Sequence, residues 1–153
     1  VGLDWALPAS YEDLKDNQTL ITVAYWSSKI GLLRYFPESF YIKNPTLTES
    51  ERQQYKLLAY KQLISQAMLH ESRLVKENAK KVPSSINPKI PTLLLVSNGD
   101  GTSFSQSEWQ HYAERFASGQ SNVQVIYMDA PHELYHYQSH EIVSQIEDFL
   151  KSH

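Results

Sequence analysis

Residues 90–100 read IPTLLLVSNGD, and this stretch decides the fold class. The run from Ile90 to Val96 is short and continuously apolar, as is typical of a parallel strand that is covered on both faces. The polar turn SNGD follows at once and brings Asp100 just beyond the strand. The stretch therefore predicts a buried parallel strand with a carboxylate near its carboxyl end.

The residues downstream of this strand predict a regular alternation of elements. Ser105-x-x-Glu108 is a capping box that opens a helix, and Gly119 is a suitable residue just past its end. Residues 123–128 predict a second apolar strand, and Ser139 is predicted to cap a last amphipathic helix. The order strand, helix, strand, helix predicts an α/β fold with a parallel sheet.

The amino-terminal residues predict one more strand and then helices. Residues 1–7 read VGLDWAL and predict the end of a buried strand that stops at Pro8. Ser10 is predicted to cap a short helix that reaches Asp13. Apolar residues at helical spacing predict a helix from about Thr19 to Tyr35, which Pro37 ends.

A second capping box, Thr48-x-x-Glu51, predicts one long helix that reaches about Lys80. Its predicted apolar side consists of Leu57, Tyr60, Ile64, Met68 and Leu74. The stretch from Val82 to Pro91 contains Pro83 and Pro88 and predicts a linker.

Composition limits the classes of function. The 153 residues include 41% hydrophobic side chains, which is enough for one globular domain, and the net charge of −3 does not indicate a nucleic-acid partner. The absence of cysteine excludes disulfides and Cys-based metal sites. No run of about 18 apolar residues predicts a membrane span, so a soluble, cytoplasmic protein is the default expectation. The opening VGLDWALP does not look like a natural start and predicts a piece of a longer protein.

The segment from His132 to His136 reads HELYH and matches the H-E-x-x-H pattern of zinc peptidases. That pattern needs both histidines on one helical face, whereas this segment directly follows a strand and Pro131. His140 is also not at the spacing of a third zinc ligand. We therefore expect no metal and no organic cofactor here, and we keep a zinc peptidase as a distant third alternative.

Position in the predicted sheet favours a different role for His132. The carboxyl ends of neighbouring parallel strands meet at one edge, where open α/β sheets bind ligands, and both Asp100 and His132 follow such strands. A carboxylate that accepts from an imidazole N–H leaves the other nitrogen free for general base catalysis. Asp4, after the first strand, is the alternative acid, and Asp129 is expected to be a loop residue.

The order of these motifs resembles the carboxyl-terminal half of the α/β-hydrolase family. PTLLLVSNGDGTSF is similar to the acid strand and loop of that family, with Asp100 at the acid position. VQVIYMDAPHELYHYQSHEIVSQIEDFL is similar to the segment that carries the catalytic histidine, with His132 at that position and Pro131 in place of the usual glycine. Some members of the family carry the acid where Asp4 stands.

The resemblance implies an organisation and an activity. It implies a core strand at residues 1–8, a helical cap or lid at 9–82 and the end of the hydrolase core at 83–153, with the amino-terminal half of the core missing. It further implies a serine hydrolase that acts on a small carboxylic ester or related acyl substrate through a Ser-Asp-His triad. The chain contains no G-x-S-x-G motif, so by itself it is expected to be inactive.

Two expectations about partners and function complete the prediction. A bare sheet edge predicts pairing with the missing half or with a second copy of the chain in a homo-oligomer. The alternative function is a non-catalytic, hydrolase-like binding or interaction module.

Overall fold

The computed structural model describes residues 1–15, 17–35, 46–62, 64–82 and 89–153. The predicted helix stop at Pro37 and the linker residues Pro83 and Pro88 lie outside these ranges. The chain forms two compact units, one from residues 1–14 and 79–153 and one from residues 15–78. No helix in the described ranges is long and apolar enough to cross a bilayer.

The first unit is built on a sheet of three parallel strands, β1 (Gly2–Leu3), β2 (Thr92–Val96) and β3 (Val123–Tyr127). The strands lie in the order β1-β2-β3, so β2 is central, and all five of its residues are buried. This confirms the predicted α/β class and the parallel sheet. β1 is much shorter than the predicted strand over residues 1–7, because the backbone of Asp4 leaves the extended region with a φ of 49°.

Four helices of this unit accompany the sheet: α1 (Pro8–Asp13), α5 (Gln106–Ala117), α6 (Leu134–Tyr137) and α7 (Ser139–Ser152). The labels α2 to α4 denote the helices of the second unit, which lie between α1 and α5 in the sequence. The capping box at Ser105 is confirmed, as is Gly119 with a φ of 76° just past the end of α5.

Two predicted caps in this unit are wrong. α1 already begins at Pro8, whose ring is compatible with the first helical position, so Ser10 lies inside the helix. The buried Ser10 hydroxyl instead donates to the Leu7 carbonyl at 2.8 Å. Ser139 is the first residue of α7 and not its cap, a position that Gln138 occupies without a side-chain hydrogen bond.

Each face of β2 has its own apolar core, because alternate strand residues point to opposite faces. Leu93 and Leu95 are fully buried on the face that carries Ile142 and Phe149 of α7. The other face buries Leu94 and Val96 with residues of α5, namely Trp109, Tyr112 and Ala113. Truncation of a fully buried leucine to alanine typically costs about 2–5 kcal/mol, so Leu93 and Leu95 each contribute strongly to the stability of this unit.

The second unit contains α2 (Gln18–Lys29), a 3-10 turn (Leu32–Tyr35), α3 (Glu49–Gln62) and α4 (Gln66–Ala79, whose last residue belongs to the first unit). The helix predicted to reach Tyr35 ends at Lys29, where Gly31 adopts a φ of 75°. The capping box is confirmed, since the Thr48 N–H and hydroxyl both donate to Glu51.

The single long helix predicted from Thr48 to Lys80 is wrong, because it is divided into α3 and α4. The Ser65 hydroxyl accepts from the Met68 N–H at 3.1 Å, which caps a new helix start. The predicted apolar side is not buried either: Leu57 is 67% exposed, and Met68 and Leu74 are each 48% exposed.

Candidate active site

The carboxyl edge of the sheet brings together residues that are far apart in the sequence. Asp4 directly follows β1, Ser97 directly follows β2, and His132 lies in the loop after β3. Because the three strands are parallel, these segments all emerge at the same edge. This is the edge at which the sequence predicts a site.

Asp4 has an unusual backbone conformation at this edge. It is the one residue other than glycine with a positive φ in the described ranges, and it is only 4% exposed. Aspartate tolerates this region better than most residues, but such conformations still cost about 1–3 kcal/mol. The Asp4 N–H donates to the Leu95 carbonyl at 2.7 Å, which holds this turn against β2.

The Asp4 carboxylate accepts three hydrogen bonds. Oδ1 accepts from the Ser97 backbone N–H at 2.7 Å and from the Trp109 indole Nε1 at 2.8 Å. Oδ2 lies 2.5 Å from Nδ1 of His132. Burial alone would raise the pKa of Asp4, but the bonds from His132, Ser97 and Trp109 outweigh it and hold the pKa below its usual value. Asp4 is therefore an anion at neutral pH.

His132 is held at two points. Because ionised Asp4 can only accept, Nδ1 of His132 must carry the proton, and Nε2 is left as the basic nitrogen. The His132 backbone N–H donates to the Asp100 carbonyl at 2.8 Å. The bond to Asp4 raises the pKa of His132, partial burial lowers it, and the charges of Asp4 and Glu133 add to the increase, with a net shift upward. The His132 side chain is still 42% exposed.

Trp109 contacts both members of this pair. Besides its bond to Asp4, its ring meets the His132 ring edge-on, with centroids 5.7 Å apart and an interplanar angle of 89°. It lies in the first turn of α5, whose start the Ser105 capping box fixes. Gly99 permits this approach, because a Cβ there would lie 3.2 Å from the Trp109 Cβ. These contacts of Trp109 are not visible in the sequence, where the pattern places Trp109 after a cap but does not show where its N–H points.

Asp100, the acid predicted first, does not meet the His132 ring. Its side chain is exposed, and its own N–H donates to the Asn98 side chain at 3.0 Å in a tight turn. Its contact with His132 is made by the backbone carbonyl alone. The structure therefore pairs His132 with Asp4, the alternative acid, and not with the Asp100 carboxylate. Asp129 is an exposed loop residue that accepts from Asn98 at 3.2 Å.

The geometry of the HELYH segment differs from that of a zinc helix. His132 and Glu133 precede α6, and only the later residues of the segment, including His136, are helical. His136 is partly buried beside Tyr135, with ring centroids 4.2 Å apart, and His140 is exposed. Within the described ranges, no three or more His, Asp or Glu side chains are grouped as metal ligands would be.

Comparison with known proteins gives one distant relative. No protein-family model matches the chain, and no solved structure matches it significantly. The chain is 25% identical over 161 residues to the "Uncharacterized protein YbdG" of Bacillus subtilis (strain 168). The match covers 99% of this chain and 50% of the relative, so the chain spans about half of the relative's length. A relative that is itself uncharacterised assigns no activity to this chain.

Proposed function

We propose that Asp4 and His132 are the acid and the base of a serine hydrolase of the α/β-hydrolase type, which acts on carboxylic esters or related acyl substrates. The observation that carries this proposal is the 2.5 Å contact between Asp4 Oδ2 and His132 Nδ1 at the carboxyl edge of a parallel sheet. The order of the strand, acid, histidine and helix motifs in the sequence, which resembles that family, adds support. Asp100 keeps a structural role in this proposal, through its backbone carbonyl.

The proposed reaction uses the unbonded nitrogen of His132. Nε2 accepts the proton of a serine hydroxyl while that oxygen attacks the ester carbonyl, and it then returns the proton to the departing alkoxide. A water molecule then attacks the acyl-serine ester with the same two proton transfers through Nε2, which releases the carboxylic acid product and restores the serine. Asp4 does not take the proton: its negative charge stabilises the imidazolium, and its hydrogen bond keeps the ring in the productive tautomer.

The proposed reaction needs a nucleophilic serine, and this chain contains no G-x-S-x-G motif to supply one. We assign the serine to a further part of the intact protein. The β1 edge is the place where that part would add strands: Val1 is 50% exposed, Leu3 40% and Trp5 46%. A second copy of this chain is the alternative occupant. A monomer at all concentrations in light scattering would exclude pairing with a second copy and would leave a further part of the intact protein as the occupant of the β1 edge.

The lid is likewise part of the proposal. In the resembling family, a helical insertion between the corresponding strands covers the site and shapes its specificity, and we carry that role over to residues 9–82. Deletion of α2 to α4 from the intact protein, with a short linker in their place, is expected to broaden the range of ester chain lengths accepted. An unchanged preference would remove the lid from the proposal.

The test of the activity is hydrolysis of p-nitrophenyl esters by the intact protein. We expect His132→Ala to lower kcat/KM by about 10³-fold or more, as the loss of a general base does in hydrolases of this type. The matched control is His136→Ala, which removes a histidine four residues further along and is expected to leave the rate within about twofold. Equal rates for His132→Ala and the parent, or an inactive parent, would contradict the proposal.

A further inference from the structure

We infer that Trp109 is a positioning residue of this site: its indole N–H fixes the rotation of the Asp4 carboxylate, so that one oxygen is always presented to Nδ1 of His132. The catalytic consequence of this inference rests on the proposed function, whereas the contact itself does not. The two carboxylate oxygens have different partners: Oδ1 accepts from Ser97 and Trp109, and Oδ2 lies against Nδ1 of His132.

The carboxylate of an aspartate has no strong rotational preference of its own, because the torsion at its last bond is broad and roughly two-fold. The Ser97 backbone N–H donates to Oδ1 at 2.7 Å, and the Ser97 side chain also lowers the Asp4 pKa, but donors on a single residue restrain the carboxylate from one side only. Trp109 provides a second donor to the same oxygen, at 2.8 Å and from a different element. Donors from the segment after β2 and from α5 therefore define the direction of Oδ2, which is the oxygen that meets His132.

The second donor is itself held rigidly. Trp109 is only 5% exposed, and Phe104 stacks on its ring with centroids 5.8 Å apart. Its edge-on contact with His132 restricts the same imidazole that Asp4 binds. One side chain thus restrains the acid through a hydrogen bond and the base through ring packing, which neither Ser97 nor Asp100 does.

Removal of the indole N–H takes one hydrogen bond away from Asp4 and leaves the net charge around it unchanged, because the indole is neutral. Outside the pair, the charge of Glu133 acts on His132, and it remains in place. Asp100 contacts His132 only through its backbone carbonyl, which also remains. A Trp109 variant that keeps the two-ring shape but lacks the N–H therefore changes Asp4 by the loss of one donor, and the carboxylate anion becomes less stabilised.

The direct test is ¹³C NMR titration of the Asp4 carboxyl carbon in Trp109→Phe, in the chain as it is. We expect the Asp4 midpoint to rise relative to the parent and the Nδ1 proton of His132 to exchange faster with solvent. The control is Trp26→Phe, since Trp26 lies in the unit of residues 15–78 and is 62% exposed. If Trp109→Phe does not fold, site-specific insertion of benzothienylalanine replaces the N–H by sulfur and keeps the two-ring shape.

The outcomes separate this inference from the proposed function. In the intact protein we expect Trp109→Phe to lower kcat by about 10- to 100-fold with little change in KM, as loss of orientation does. An Asp4 midpoint that moves no more than in Trp26→Phe overturns the positioning role, even if His132→Ala abolishes activity. A shifted midpoint in a protein that hydrolyses no ester supports the positioning role and overturns the proposed function.

Discussion

Replacement of Asp4 by alanine or by asparagine separates the structural task of this side chain from its electrostatic task. Alanine removes the acceptor of two buried donors, the Ser97 N–H and the Trp109 indole N–H. Asparagine keeps an oxygen in the Oδ1 position for both donors. It places an amide nitrogen opposite His132, where Asp4 now has its second oxygen.

The magnitudes follow from the number of donors that lose their acceptor. A buried donor without a partner costs about 1–3 kcal/mol, so the two donors left by Asp4→Ala cost about 2–6 kcal/mol. Asp4→Asn leaves neither unpaired and loses only the charge-assisted part of each bond, about 1–2 kcal/mol in all. Alanine also tolerates the positive φ of this position less well than asparagine does, which widens the difference.

Urea denaturation followed by circular dichroism measures this difference directly. The control is Asp100→Ala, whose carboxylate is exposed and which is expected to change the free energy of unfolding by less than about 0.5 kcal/mol. Equal destabilisation by Asp4→Ala and Asp4→Asn would refute the reasoning, because it would mean that the two donors do not depend on the Asp4 oxygen.

Other perturbations test the electrostatics of the Asp4–His132 pair and the packing and capping of α5. The pKa of Asp4 is lowered, so its contribution to stability is lost below the ordinary aspartate range, as pH falls through the folded Asp4 pKa. The pKa of His132 is raised, so its contribution is lost above the ordinary histidine range, as pH rises through the folded His132 pKa. Asp4→Asn should therefore make the free energy of unfolding depend less on pH at both the acidic and the basic end. Gly99→Ala should lower the melting temperature more than Gly119→Ala, because both have a positive φ but only at Gly99 would the new Cβ crowd a neighbouring side chain; equal shifts in calorimetry would contradict this. Ser105→Ala should cost about 0.5–2 kcal/mol in urea denaturation through loss of the α5 cap, and no change would count against that cap.

Much of the first unit is predictable from the sequence because local signals and tertiary structure agree there. The apolar run before Ser97 is a central strand, and the capping box at Ser105 begins a helix. A histidine after the last strand is expected at the carboxyl edge, where His132 lies. These features depend on residue type and spacing, both of which are visible in the sequence.

Which aspartate pairs with His132 could not be predicted in the same way. Asp4 and Asp100 both follow an apolar strand, and no pattern distinguishes them. The choice depends on the backbone: β1 ends after two residues, and the positive φ of Asp4 turns its carboxylate toward Ser97, Trp109 and His132. In contrast, the turn at Asn98 leaves the Asp100 carboxylate exposed.

The second unit shows a different limit of periodicity. A helical stripe shows which residues share a face, but it does not show that the face is covered or that the helix is unbroken. Ser65 starts a new helix within the predicted long one, and Leu57 lies on a side that is largely exposed. Contacts with other residues decide whether the face is buried and whether the helix continues, and the spacing of apolar residues does not show those contacts.

The pairing of His132 with Asp4 is tested by an ¹⁵N NMR titration of the His132 ring in the parent, Asp4→Asn and Asp100→Asn. If Asp4 is the partner, the parent shows a protonated Nδ1, an unprotonated Nε2 and a pKa above that of an ordinary histidine. Asp4→Asn should then lower this pKa and move the proton to Nε2, and Asp100→Asn should leave both unchanged. The opposite result, a response to Asp100→Asn and none to Asp4→Asn, would contradict the account.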